Sequence, residues 1–190
     1  LVRQDTGRIG LGRALLGALV EHARRRGIGR VWGVVLAENV PMLELDDGTC
    51  ITESVAICRY FDETNPEPPM FGTTPVEEAL VHMWVRRTEF TVMMPVGNFW
   101  RHAHPRTAAL LTQFKDFGES NKQTYQGAQR YLNRELDGKA WLAGDRYSMA
   151  DICLLTTVDF AGWIGLPLEP EYEHLNAWHV RATARPSANA

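Results

Sequence analysis

The sequence predicts two structural classes in one chain, a small α/β unit followed by an all-helical domain. Three observations carry this reading. Residues 42–45 and 49–51 are two short apolar runs around Asp46-Asp47-Gly48, a turn that suits a β-hairpin. The stretch 65–74 holds Pro66, Pro68 and Pro69, which cannot sit inside a helix. Beyond it, residues 76–93, 107–136, 149–164 and 172–184 all carry apolar residues at helical spacing, with Gly and Pro between them.

The elements follow in order. Leu11, Leu15, Leu16, Leu19, Val20 and Ala23 recur at the helical period, and the run ends in Arg24-Arg25-Arg26-Gly27. Cations at the negative end and a glycine stop mark an amphipathic helix. Residues 31–36 are apolar and rich in β-branched side chains, a strand, so the opening reads as strand end, helix, strand. The hairpin comes next, then a helix over about 53–61, then the proline-rich stretch as a linker over the surface. Ser148-Met149-Ala150-Asp151 is a capping-box variant that starts the helix over 149–164. Its role is structural, in the folding of the helical domain.

Composition narrows the function. The chain has 190 residues, 45% hydrophobic, with a formal net charge of −3. That balance marks no general affinity for nucleic acid or an anionic membrane. No apolar stretch approaches the roughly 20 residues that cross a bilayer. Cys50, Cys58 and Cys153 form no CxxC pair, which favours a reducing cytoplasm over a disulfide framework. The opening lacks an initiator Met and a signal-peptide core, and the start looks truncated or spliced. His102 and His104 form an HxH pair without an evident third ligand, so no metal is expected.

The run VPMLELDDGTCITESVAICRYF, the proline-rich stretch and the later WLAGDRYSMADICLLTTVDF resemble, from Val40 to the C-terminus, the glutathione S-transferases of bacteria. The resemblance implies a thioredoxin-like N-terminal domain that holds glutathione, an all-α C-terminal domain that holds a small apolar electrophile, and a homodimer. It assigns residues as well. Glu53 and Ser54 open a helix whose free N–H groups make an anion site, which the family uses for the γ-glutamyl carboxylate. The alternative reading of the same residues is that Thr52 and Ser54 cap the helix. Pro41 looks like the family's cis-proline, which turns the backbone of Val40 towards the cysteine portion of glutathione. Among the aromatic and sulfur side chains of 84–100, Trp84, Phe90 and Trp100 are candidates for the electrophile pocket, and Arg87 for an anionic substrate group. Core packing is the competing reading for each of the apolar ones.

Residues 1–39 resemble something else. LVRQDTGRIGLGRALLGALVEHARRRGIGRVWGVVLAEN is similar to the acetyl-CoA loop, helix and next strand of a GNAT-type acetyltransferase, with Gly10 and Gly12 in the phosphate-holding turn and Gly7 where that family has Gln or Arg. The two glycines equally suit a tight strand-to-helix turn. The resulting organisation is an atypical, partly replaced thioredoxin-like domain over 1–64 (1–39 acetyltransferase-like, 40–64 glutathione-site hairpin and helix), a linker over 65–74 and an all-α domain over 75–190. Catalysis in glutathione transferases rests on a Tyr, Ser or Cys just after the first strand, and none stands between Leu1 and Val31. Thr6 is the hydroxyl at the comparable place. The expected function is glutathione binding with possible conjugation to an electrophile; the alternatives are a non-catalytic glutathione-binding or interaction module, and acetyl-CoA binding at Gly10 and Gly12.

Overall fold

The computed structural model describes residues 43–45 and 47–189. The helix over 11–23, the strand over 31–36, Thr6, Gly10, Gly12, Val40 and Pro41 lie outside the described residues. A cis X-Pro bond is present at Glu67–Pro68.

The hairpin forms as the sequence predicts, but with shorter strands. β1 (Leu43–Glu44) pairs antiparallel with β2 (Cys50–Ile51), Leu43 opposite Ile51 and Glu44 opposite Cys50. Gly48 donates its N–H to the Leu45 carbonyl at 2.9 Å, and Asp47 accepts the Thr49 N–H at 2.9 Å. Gly48 sits at φ 84°, a left-handed conformation that glycine adopts without steric cost. Helix α1 (Ser54–Thr64) follows and ends where Thr64 and Asn65 turn their side chains back onto the Phe61 carbonyl.

The stretch 65–74 is anchored rather than a free surface linker. Met70 donates its N–H to Asp62 at 2.7 Å and accepts from Met149 N–H at 2.8 Å. Phe71 is buried, with the Arg59 guanidinium over its ring. Gly72, at φ 101°, lies so close to the start of the next helix that a Cβ would stand 2.8 Å from the Glu78 nitrogen. The apolar Phe71 supplies the burial that a count of prolines does not reveal.

Helix α2 (Pro75–Thr88) begins with local signals: Thr74 accepts the Glu77 N–H, Pro75 fills the first turn, Glu77 and Glu78 sit at the positive end, and Arg86 and Arg87 at the other. The helical path does not stop at Met93. It continues through a π turn (Glu89–Met93) into α3 (Met94–His102), past Pro95. The Met94 N–H reaches back five residues to the Glu89 carbonyl. This wider turn precedes the proline, whose missing N–H would interrupt a regular α-helical ladder.

The expected helix over 107–136 begins later, as α4 (Lys115–Glu135), after a short 3₁₀ turn (Pro105–Thr107). Gln113 explains the delay. Its amide donates to the His104 carbonyl at 2.9 Å and to Thr107 Oγ1 at 3.0 Å, side-chain bonds that compete with helix formation. Helices α5 (Met149–Trp163) and α6 (Glu173–Thr183) match the predicted ranges closely. The described elements up to Ala182 fall in one compact unit, Pro41–Ala182, while α7 (Pro186–Asn189) falls in another.

The core of that unit lies among α2, α3, α4, α5 and α6. Val81, Trp84, Val92, Val96 and Phe99, with Tyr125, Leu132, Leu154, Val158, Leu175 and Trp178, are all buried. Asn98 donates to Asn121 at 3.1 Å between α3 and α4. Gly118 lets α4 meet the end of α3: a Cβ there would stand 2.6 Å from Ala103 Cβ. Burial of this apolar surface, at about 25 cal/mol per Å², is the main favourable term holding the bundle.

Candidate functional site

The sequence-predicted anion site sits at the start of α1. Glu53 is the N-cap residue, at φ 67° and ψ 122°, and among the described residues no side chain bonds into the first turn. The alternative reading, that Thr52 and Ser54 cap the helix, finds no cap bond among the described residues: the N-cap is Glu53 and Ser54 is the first helical residue. The Ile57 N–H already reaches the Glu53 carbonyl at 3.0 Å, whereas the first-turn amides of Ser54, Val55 and Ala56 lie before the first intrahelical bond. Glu53 and Ser54 are both exposed. Exposed amides at a positive helix end, beside a serine hydroxyl, can hold a carboxylate.

The conformation of Glu53 adds to this. Among the described residues it is the one non-glycine with positive φ. Such a backbone costs on the order of 1 kcal/mol or more for a residue with a Cβ, and persists where surroundings impose it. No pattern in the sequence announces it, because Glu has no turn preference of its own.

The residues expected at an electrophile pocket have different surroundings. Trp84 is core, 3% exposed, with its ring 6.2 Å from Tyr131 of α4. Arg87 lays its guanidinium over that same indole at 5.0 Å. Phe90, on the π turn, is 51% exposed and carries the Arg86 guanidinium at 4.2 Å. Trp100 belongs to a separate aromatic group with His104, Phe160 and Trp163, at centroid distances of 4.7 to 5.6 Å. The helix carries Met93 and Met94 out into solvent together with Phe90. These three form the apolar surface of the π turn, and helical periodicity does not separate them from the buried Val92 and Val96.

Two other groups have defined surroundings. Asp151 is completely buried and accepts four hydrogen bonds. Oδ1 takes the Leu142 N–H at 3.0 Å and Trp178 Nε1–H at 2.9 Å, while Oδ2 takes the Ser148 N–H at 3.0 Å and the Ser148 hydroxyl at 3.1 Å. Burial pushes its carboxyl above the usual carboxylate range, and these donors pull it back. The capping box is present at the start of α5, and the tie to Trp178 extends it to α6. His102 Nδ1 accepts the Phe114 N–H, and His104 Nδ1 accepts the Arg106 N–H. Burial, with Arg106 nearby, holds the His104 imidazole below its ordinary range. Among the described residues no group of three or more His, Cys, Asp or Glu is placed to hold a metal ion. None of their helices is long and apolar enough to cross a membrane.

Comparison with known proteins gives two family matches. Residues 103–186 match the glutathione S-transferase C-terminal domain, and residues 24–69 match the glutathione S-transferase N-terminal domain. The second match begins at residue 24, upstream of the expected start at Val40, and no match to an acetyltransferase accompanies it among these family matches. The chain is 37% identical over 150 residues to glutathione S-transferase 2 of Saccharomyces cerevisiae, covering 78% of this chain and 64% of that protein. It thus spans less than two thirds of that relative. It is also 30% identical over 152 residues to elongation factor 1-gamma of Danio rerio, covering 77% of this chain and 32% of that one. The solved structure of a glutathione S-transferase domain-containing protein from Marinobacter aquaeolei VT8 superposes with a TM-score of 0.71 at 37% identity, over 78% of this chain and 74% of that one.

Proposed function

The chain belongs to the glutathione S-transferase family, and from that premise we propose that it binds glutathione, with the γ-glutamyl carboxylate at the start of α1. The observation that carries this reading is Glu53: a strained, exposed residue directly before an uncapped helix start, followed by the Ser54 hydroxyl. Val40 and Pro41 are the candidates, from the family resemblance, for the cysteine side of the tripeptide. The co-substrate is a small apolar electrophile, taken up beside the exposed Phe90, Met93 and Met94, with Arg87 available to an anionic group; Trp84 and Trp100 are the further candidates for the pocket wall. Thr6 is the candidate donor to the glutathione thiolate. The protein works as a cytoplasmic homodimer.

Replacing Ser54 with Ala tests the binding step. The hydroxyl contributes one hydrogen bond to a charged group, about 1.5 kcal/mol or more, so retention on immobilised glutathione should weaken by roughly tenfold. Unchanged retention removes Ser54 from the site.

A second reading, a glutathione-binding or interaction module without turnover, is favoured by one pair of observations. No Tyr, Ser or Cys stands between Leu1 and Val31, and elongation factor 1-gamma is among the similar proteins. Binding of glutathione without conjugation, in titration and in steady-state assay of the same preparation, separates the two. The acetyl-CoA reading rests on Gly10 and Gly12 alone. A thermal shift with acetyl-CoA but none with glutathione would favour it, since a ligand at 100 times its Kd stabilises by about 2.7 kcal/mol.

A further inference from the structure

A cleft of about 360 Å³ lies between the loop after α4 and the outer face of α6, and no part of the glutathione reading uses it. Small residues, Gly138, Ala140 and Ala177, all exposed, form its floor around the buried Leu136, and Lys139, His174 and Arg181 line its rim. All three polar side chains of the rim are basic, and no carboxylate lines the cleft.

The disposition of these groups favours an anion. Arg181 donates its Nη2–H to the Ala140 carbonyl at 3.1 Å and to the Lys139 carbonyl at 3.5 Å, and stacks over Trp141 at 5.9 Å, which fixes the guanidinium. Among the described residues no carboxylate pairs with it within 4.0 Å. Lys139 stands 3.8 Å from Glu135, and His174 stands 3.6 Å from Asp137, both longer than a hydrogen bond. These exposed pairs, with Lys139 also 5.7 Å over the Trp84 ring, are loose enough for either side chain to turn towards a stronger acceptor. The α6 helix start beside them is already closed, because Asn133 accepts the N–H groups of His174 and Leu175 at 2.9 and 3.1 Å. The attraction thus comes from side chains, with a fixed planar fork able to take two oxygens of one group.

We propose that this cleft is a second ligand site, for a small phosphomonoester, with the phosphoryl group at Arg181, Lys139 and His174 and a compact organic body over the floor of Gly138, Ala140 and Ala177. The small side chains leave room for that body, and the volume is within the range of small-molecule sites.

Calorimetric titration of the whole chain with ribose 5-phosphate, ribose and inorganic phosphate tests it. Saturable binding of ribose 5-phosphate, weakened by salt and absent for ribose, is expected. Arg181→Gln should weaken it at least tenfold. Because Arg181 also holds the loop, Ala177→Glu provides the second variant: residue 177 is exposed on a helix, where Glu is readily accepted, and its carboxylate would occupy the cleft. A native melting temperature with binding lost supports the site. Binding unchanged in Ala177→Glu, or equal for ribose, overturns it. Inorganic phosphate binding as tightly as the monoester overturns the role of the floor. Loss of ribose 5-phosphate binding in Ser54→Ala would put the anion at α1 instead and likewise overturn it.

Discussion

Removing the carboxylate of Asp151 should unfold the helical bundle far more readily than loss of an ordinary helix cap. Capping alone is worth about 1 kcal/mol. The structure adds two partners outside the cap, Leu142 N–H and Trp178 Nε1–H, both on residues with 1% exposure or less. Asp151→Ala strands these donors together with the two of Ser148 in a dry interior. A buried donor left without a partner costs about 1–3 kcal/mol, offset by the desolvation that the carboxylate no longer suffers. The expected loss is about 3–5 kcal/mol, a large share of a typical stability of about 5–15 kcal/mol. For a chain of this size that lowers Tm by roughly 6–20 °C. Asp151→Asn keeps one acceptor oxygen for Leu142 and Trp178 but turns an amide donor towards Ser148, so it should fall between. Urea unfolding followed by both circular dichroism and tryptophan fluorescence measures this and checks for a single transition. A loss of 1 kcal/mol or less for the alanine variant would show that the Trp178 and Leu142 contacts contribute nothing beyond the cap. A native Tm with activity abolished would show instead that Asp151 acts at the site.

Turnover with a chlorodinitrobenzene should be slight, since a helix end favours a thiolate by only about 0.3–1 kcal/mol, less than one pKa unit; robust conjugation at neutral pH, lost in Thr6→Val, would show that Thr6 completes a working site. Gly118→Ala should destabilise by about 1–3 kcal/mol despite the better helix propensity of alanine, because the new Cβ meets Ala103 Cβ at 2.6 Å and its backbone nitrogen at 2.7 Å; a more stable variant would mean that α3 and α4 part at no cost. Tyr125→Phe should be neutral or mildly stabilising within about 0.5 kcal/mol, because the hydroxyl is buried without a hydrogen-bond partner among the described residues. Burial, with the Glu169 charge, already raises that phenol well above its ordinary range. A loss of more than about 1 kcal/mol in the same urea titration would reveal an acceptor, such as a buried water.

Several features were legible because they are encoded within a few residues of themselves. Asp47-Gly48 between two apolar runs dictates a hairpin, Thr74-Pro75 with Glu77 and Glu78 dictates a helix start, and Ser148 with Asp151 dictates another. Turn and cap chemistry is local, so residue types at fixed offsets suffice. The family resemblance was likewise carried by short motifs in order, although it placed the start at Val40 where the N-terminal domain match begins at residue 24. What only the tertiary structure decided depends on neighbours far along the chain. Trp84 and Phe90 look alike in an apolar helical pattern, yet α4 covers the first and leaves the second in solvent. Pro95 reads as a helix stop, but the π turn before it lets the helix run on to His102. Asp151 meets Trp178 across 27 positions, a distance over which no sequence spacing fixes a contact. The left-handed Glu53 has no residue-type signature either: its conformation is set by how β2 and α1 are joined, and an intrinsic preference of Glu would oppose it.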